Sequence, residues 1–455
     1  MLTVIDPTSG NILHEYPADD KSAVEHVLTT AEAAFTSWRK TTFKERAGVL
    51  TTVARHMRDH VETLAPMMTA EMGKPIKEAR AEVLKAAWCA EHYAENAESY
   101  LAREVIPSDA TSSYVQYLPL GPIMGVLPWN APFWLAFRFC APALMAGNTC
   151  VMKHDSHVPA CSRAIADLFD KVGAPKGIFQ SLLIRTPDVE AVIRDDRIRA
   201  VSFTGGSAGG SAVAAIAASE LKPAVLELGG SDPCVVFADA DLSKAAHIIT
   251  LSRIINAGQS CIAAKRIIVE SSVHDDLVSL LKEKLNALVV GDPREEKTDI
   301  GPIARPDLRD HLHRQVRKTV EAGAQCLLGG TIPKGNGYFY PVTLLTGVEP
   351  SMPAFREETF GPVMVVIKAR DQAHAMDLAN DTPYGLAASI WTGTERGDAL
   401  AREFQAGQVA VNGIVKTDPR LPSGGIKRSG YGRELGRFGI LEFVNAQQVW
   451  VGPVK

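Results

Sequence analysis

Apolar residues recur at three- and four-residue spacing, with charged residues between them, along residues 20–40, 44–73 and 76–102. That period puts side chains on one face of an α-helix, so the first hundred residues are predicted to be helical. The period changes at 112–121 (SSYVQYLPLG), where β-branched and aromatic residues predict a strand or hairpin. From Pro122 to about residue 230, short apolar runs alternate with helical stretches: GVLPWN, GNTCVMK, SLLIR, AVSFTGG and PAVLELGG. The same texture returns over 233–410 in PCVVF, KRIIVE, GYFYPVTLL, GPVMVVIKA, GLAASIWT and GQVAVNG. Strands alternating with helices imply βαβ units in largely parallel, doubly wound sheets. Two such domains are predicted, with a seam near Glu227 to Asp232. The last apolar stretch, 439–451 (GILEFVNAQQVWV), reads as a strand free to pair with another element or another subunit.

Composition narrows the class. At 455 residues the chain exceeds what one core ordinarily serves, which supports the two-domain division. Hydrophobic residues at 46% and charged residues at 22% describe a soluble globular protein. A net charge of −4 provides no basic footprint, which argues against nucleic acid or an anionic membrane as partner. The N-terminus lacks a signal-peptide pattern, and no apolar run reaches the roughly eighteen residues a membrane helix needs. Seven scattered cysteines form no C-x-x-C pair, and the twelve histidines do not cluster with them. That pattern predicts free thiols, a cytoplasmic location and no metal site.

Candidate chemistry begins at Cys261 in NAGQSCIAAKR. A lone cysteine is ordinarily small core filling; as a nucleophile it requires a lowered pKa or a base, and an oxyanion site facing it. Glu227, ending the apolar run of LELGGSDP, is either a strand-end carboxylate reaching solvent or a buried functional one. Asn130 in PWNAPFW either forms an Asx-turn or offers its amide to an oxyanion. The turn FTGGSAGG (203–210) brings glycines to the start of an alanine-rich stretch, where a phosphate can approach a helix N-terminus. Its spacing is not G-x-G-x-x-G, and alone it is a weak signal.

Together and in this order, Asn130, Lys153, the Gly205–Gly210 turn, Glu227, Cys261, EETFGPV and SGYGREL resemble the aldehyde dehydrogenase superfamily over essentially the whole chain. The resemblance is nearest to short bacterial succinate-semialdehyde dehydrogenases, through KHDS and VLELGGSDPCVVFADADL. It implies an aldehyde-dehydrogenase-like α/β fold. A Rossmann-type parallel-sheet cofactor domain is expected from 1–104 and 121–229, a second α/β catalytic domain from 230–422, and a small β oligomerisation arm from 105–120 and 434–455. It also implies roles. Cys261 attacks the aldehyde carbon, Asn130 and the Cys261 N–H hold the oxyanion, Glu227 activates water, and Glu434 helps order the proton path. For the cofactor, Gly205, Gly206, Ser207 and Gly210 face the pyrophosphate, Lys153 the adenosine ribose, Glu358 and Phe360 the nicotinamide ribose, and Trp129 the pocket wall. Gly206 replaces a serine frequent in the family, so Ser207 is expected to supply that hydroxyl. Ser156 stands where NAD-selective members carry Glu, so NADP is expected to be preferred with NAD still used; Asp155 beside it would undo this if it pointed inward.

The expected substrate is a small aldehyde with a distal carboxylate, clamped by Arg138 with further contacts from Thr417 and Arg420. Arg138 also has ordinary readings, snorkelling to solvent or pairing with a carboxylate. Ile255 replaces a second arginine present in many succinate-semialdehyde enzymes, so glutarate semialdehyde and simple aliphatic aldehydes stay open. Ser423 departs from the family's usual phenylalanine in the LPSGG loop, and Ala263 and Ala264 leave no thiol beside Cys261 for a disulfide. The arm implies a homodimer or homotetramer. Transfer of the acyl group to coenzyme A instead of water is the competing chemistry, and Glu227 argues against it.

Overall fold

Helices Lys21–Trp38, Phe43–Asp59, Val61–Met72 and Ile76–Tyr100 occupy the stretch where the apolar period predicted helix. They appear in a computed structural model that describes residues 1–452. Thr42 and Glu45 cap the second of them reciprocally, and the third stops at Gly73, whose φ of 77° is left-handed. Helix does not extend to the N-terminus as expected. Residues Leu2–Ile5 and Ile12–Tyr16 form an antiparallel hairpin instead, with Asp6 accepting the Thr8 N–H at 2.8 Å in its connection. Two strands this short are hidden by the longer helical period that follows.

Two sheets carry the rest. One has six strands in the order Gly430–Tyr431, Ala224–Glu227, Ala200–Thr204, Pro122–Leu127, Thr149–His154, Phe179–Ser181. All pair in parallel except the two-residue Gly430–Tyr431, which runs antiparallel and sets Gly430 opposite Glu227. The other has seven strands, ordered Gln325–Leu328, Thr343–Thr346, Val363–Ala369, Arg266–Glu270, Pro233–Val236, Ala387–Trp391, Gln408–Val411, with only the first antiparallel to its neighbour. These apolar runs are buried on both faces, as parallel strands covered by helices must be. The short strand at 430 was not anticipated; it brings the chain after residue 422 back onto the first sheet.

Helix Pro132–Ala146 is buried along its whole length, within a core shared by the first-hundred-residue helices and the six-stranded sheet. Its one charge, Arg138, therefore needs partners inside the protein. A separate three-stranded sheet pairs Val444–Val451 with Ser112–Pro119, and that strand with Glu104–Val105. The tail predicted as one strand is divided: Gly436–Leu441 is a helical turn and the strand begins at Val444. Residues 453–455 of the expected arm lie outside the described residues. Among the described residues, no helix is long and apolar enough to cross a membrane.

Candidate active site

The segment bearing Cys261 follows helix Leu242–Ile254 through three left-handed residues, Asn256, Ala257 and Gly258, with φ of 55°, 54° and 75°. Such a run is costly for non-glycine residues and persists only when its surroundings fix it. The Asn256 N–H donates to Glu78 Oε2 at 2.7 Å, and its side-chain amide donates to the carbonyls of Asn130 (2.9 Å) and Gln259 (3.2 Å). Gly258 has no room for a side chain: a Cβ there would lie 2.3 Å from the Gly361 carbonyl oxygen. Fully buried Arg253 donates to the carbonyls of Val363 (2.6 Å), Thr359 (2.7 Å) and Gly361, clamping the segment around Phe360 against the cysteine turn. Lys265 Nζ donates to the carbonyls of Ser260 (3.0 Å) and Cys261 (2.6 Å) and pairs with Glu358 at 3.4 Å. One lysine thus ties the candidate nucleophile to a candidate cofactor ligand.

Cys261 is half-buried and lines a cavity of about 460 Å³ with residues from both halves of the chain. Burial pushes its thiol up to about 12, against the pull of Arg138 and Lys265 and with a further push from Glu227 and Glu358. The resting thiol is therefore protonated and requires a base. Glu227 is 3% exposed, and burial raises its carboxyl to about 7; Arg138 opposes the rise and Glu434 adds to it. The Arg138 Nη2 donates to Glu227 Oε2 at 3.1 Å, while its Nε ion-pairs with Glu434, whose other oxygen accepts from Ser202 Oγ at 3.3 Å. Two carboxylates on one buried guanidinium leave an uncompensated negative charge if both ionise. A proton held by Glu227 near neutrality relieves it. Glu227 Oε1 has no partner among the described residues.

Asn130 does not close an Asx-turn. Its Nδ2 crosses to the Gln259 carbonyl at 3.1 Å, so the amide rests on the segment leading into Cys261. Thr417 lines the cavity as expected, and Arg420 does not. Arg420 is exposed and forms a bidentate pair with Asp418 (2.8 and 2.6 Å), which removes it from the substrate contacts assigned to it. Arg138 does line the cavity, but its charge is already matched by Glu227 and Glu434; of its two ordinary readings, pairing with a carboxylate is the one observed. The residue missed was Lys85. It reaches the cavity from helix Ile76–Tyr100, on the face that also bears Glu78, Ala81 and Glu82. A lysine inside VLKAAWCA was the available signal, overlooked because one lysine among helical charges reads as solvated surface.

Most of the expected cofactor residues lie on or just after strands of the first sheet, while Glu358 and Phe360 come from the segment before strand Val363–Ala369 of the second. Gly205 and Gly206 follow strand Ala200–Thr204, and Ser207 opens helix Ser207–Ser219, so the N–H groups of the first turn have an exposed glycine before them. Gly210 packs on Leu228, leaving no space for a Cβ, which sets the helix close to its strand. Lys153 is buried without a carboxylate within ion-pair distance among the described residues, and burial lowers its pKa. Trp129 meets Phe360 edge-on at 5.9 Å. Asp155 does not act as a free carboxylate beside Ser156. Although burial opposes it, hydrogen bonds from His157 hold its carboxyl at about 2, and Arg305 stands 3.8 Å away. An anion-accepting turn, an unpaired buried cation and an aromatic pair near Cys261 fit a nicotinamide dinucleotide.

The fold and the site define a class: two largely parallel α/β sheets with a cysteine-bearing cavity lined from both halves of the chain. The chain belongs to the aldehyde dehydrogenase family, whose model matches residues 1–449. It is 47% identical, over 99% of both chains, to a protein of Synechocystis named probable succinate-semialdehyde dehydrogenase, NADP(+). It is 42% identical to the succinate-semialdehyde dehydrogenase, NADP(+), of Mycobacterium avium, over 100% of this chain and 97% of that one. Among solved structures, succinic semialdehyde dehydrogenase of Streptococcus pyogenes in complex with NADP+ superposes with a TM-score of 0.97 at 32% identity, covering 99% of this chain and 100% of that one.

Proposed function

We propose that this protein oxidises succinate semialdehyde to succinate, with NADP preferred over NAD. The carrying observation is the convergence of Cys261, Asn130 and Arg138 on one cavity, with the Asn130 amide lodged against the cysteine turn and the buried carboxylate Glu227 held behind the wall by Arg138. The relatives named for succinate semialdehyde and NADP(+), at 47% and 42% identity over nearly full length, support the substrate and the cofactor.

In this reading Glu227, with a carboxyl raised to about 7, takes the Cys261 proton, and the thiolate sulfur bonds to the aldehyde carbon. Substrate entry displaces the Asn130 amide from the Gln259 carbonyl, and it then donates, with the Cys261 N–H, to the oxyanion. Bound NADP, held by Lys153, Ser156, the Gly205–Gly210 turn, Glu358 and Phe360, supplies the hydride acceptor. Loss of hydride from the thiohemiacetal carbon re-forms the C=O as a Cys261 thioester. Glu227, having passed the thiol proton to solvent, then removes a proton from water, whose oxygen attacks that thioester, and the C–S bond breaks to release the acid and the Cys261 thiolate. Glu434 holds Arg138 in place and so sets the basicity of Glu227. A buried base poised near neutrality favours water over coenzyme A as acceptor. The Asp155 carboxylate is engaged by His157, and with the small Ser156 beside it Lys153 keeps no ion-pair partner among the described residues and stays available for a 2′-phosphate.

The protein is also proposed to be soluble, cytoplasmic and at least dimeric, through the sheet formed by Val444–Val451 and its partners. The test is steady-state kinetics with succinate semialdehyde, glutarate semialdehyde and butanal, each with NADP and NAD. Succinate semialdehyde with NADP should give the highest kcat/KM, and added coenzyme A should not raise the rate. Cys261→Ser should abolish turnover with every substrate. A higher kcat/KM with NAD, or with butanal, overturns the corresponding assignment.

A further inference from the structure

The cavity wall holds four cations: Lys74, Lys85, Arg138 and Lys416. Lys74 is spent on buried Glu82, Arg138 on Glu227 and Glu434, and Lys416 is exposed to solvent. Lys85 differs from all three. It is half-buried, and no carboxylate lies within ion-pair distance of it among the described residues. Its Nζ donates to Thr417 Oγ1 at 2.8 Å and stands 4.1 Å over the Trp134 ring, both on the cavity wall. A hydroxyl and an aromatic face position an ammonium without cancelling its charge.

We infer that Lys85, positioned by Thr417 and Trp134, binds the distal carboxylate of the substrate, while Arg138 serves the catalytic carboxylates; this rests on the reading of the substrate given above. The environment accords with that division. Burial lowers the Lys85 ammonium to about 8, with Arg138 from the neighbouring helix adding to the fall and Glu82, Cys89 and Asp418 opposing it. An arriving carboxylate supplies the counter-charge that the folded protein withholds, and it does so where water is scarce, which strengthens the pair. The Lys85 donor also explains how selection for an acid survives Ile255 in place of a second arginine: the cation comes from a helix of the first half of the chain.

The experiment compares wild type, Lys85→Met and Lys85→Arg, measuring kcat and KM for succinate semialdehyde and for butanal at saturating NADP. Met keeps the length and apolar packing of the side chain and deletes the charge. In Lys85→Met the KM for succinate semialdehyde should rise about 10- to 100-fold, the worth of one charge-assisted hydrogen-bonded pair, with the KM for butanal within about threefold of wild type. Lys85→Arg should recover most of the lost affinity. Undiminished butanal oxidation shows that the variant is folded and its chemistry intact. An unchanged KM for succinate semialdehyde, or equal rises for both aldehydes, overturns the role of Lys85. If wild type itself does not prefer succinate semialdehyde to butanal, the substrate reading fails instead, and the two outcomes are told apart by wild type alone.

Discussion

Arg138, Glu227 and Glu434 are better understood as one titrating unit than as three residues. A single guanidinium faces two carboxylates out of water, and the unit resolves its charge by holding Glu227 at about 7. Glu227 must be ionised to remove a proton, so turnover should fall as pH drops through about 7 and level off above it. Glu434→Gln removes the like charge that raises Glu227 and leaves Arg138 to it alone; both changes lower the pKa of the base. The acid limb of the kcat profile should move down by roughly one pH unit, the usual scale for a nearby charge. Profiles of wild type and Glu434→Gln on butanal measure this, and an upward shift would break the link between Glu434 and Glu227. Much of this site was legible in the sequence, because Cys261, Glu227 and Asn130 lie in distinctive local motifs. What sequence withheld was partnership. Nothing in APFWLAFRFCAPAL shows that Arg138 meets carboxylates from strand Ala224–Glu227 and from residue 434, or that Arg420 turns back to Asp418 two residues away.

At the scale of elements, the site depends on how the turn after helix Leu242–Ile254 is locked. The left-handed run at 256–258 is held by Glu78 from one side and by Arg253 and the Gly361 carbonyl from the other. Gly258→Ala combines a φ of 75° with a Cβ 2.3 Å from the Gly361 oxygen. Left-handed backbone alone costs an alanine about 1–2 kcal/mol, and relieving the contact displaces the Phe360 segment as well. The variant should melt several degrees lower, and its affinity for NADP should fall with its kcat, because the two segments move together. Calorimetry and cofactor titration check both; a lowered Tm with unchanged NADP affinity would separate the turn from the cofactor segment. The long elements around this turn were readable because their apolar periods run for many residues. The hairpin Leu2–Ile5/Ile12–Tyr16 and the strand Gly430–Tyr431 were not, since two to five residues carry too little period and exist through pairing with distant partners.

At the scale of the whole molecule, the three-stranded sheet stands apart from the two α/β sheets and ends in an unprotected edge. Strand Val444–Val451 pairs with Ser112–Pro119 on one side and has no neighbour on the other among the described residues. Long open edges invite further pairing unless they are blunted, and this one has no proline within its eight residues. The sheet also exposes apolar side chains: Val105 at 74% and Trp450 at 49%. Ser112–Pro119 was predicted as a strand from its β-branched and aromatic content, yet such content does not say whether its surface meets another chain. An open edge beside exposed Val105 and Trp450 is the surface on which the proposed association rests. Val105→Lys combined with Trp450→Lys puts charges on that surface while leaving the ladder within the chain in place. Each change removes about 1.5–3 kcal/mol of apolar burial, and a twofold interface counts every loss twice. Sedimentation velocity at micromolar concentration should therefore show the double variant shifted toward a 49.0 kDa monomer while wild type sediments as a dimer or larger. Because Lys85, Asn130 and Cys261 line a cavity built within one chain, the monomer should retain its KM for succinate semialdehyde. A variant that stays fully associated would move the interface to another surface of the molecule.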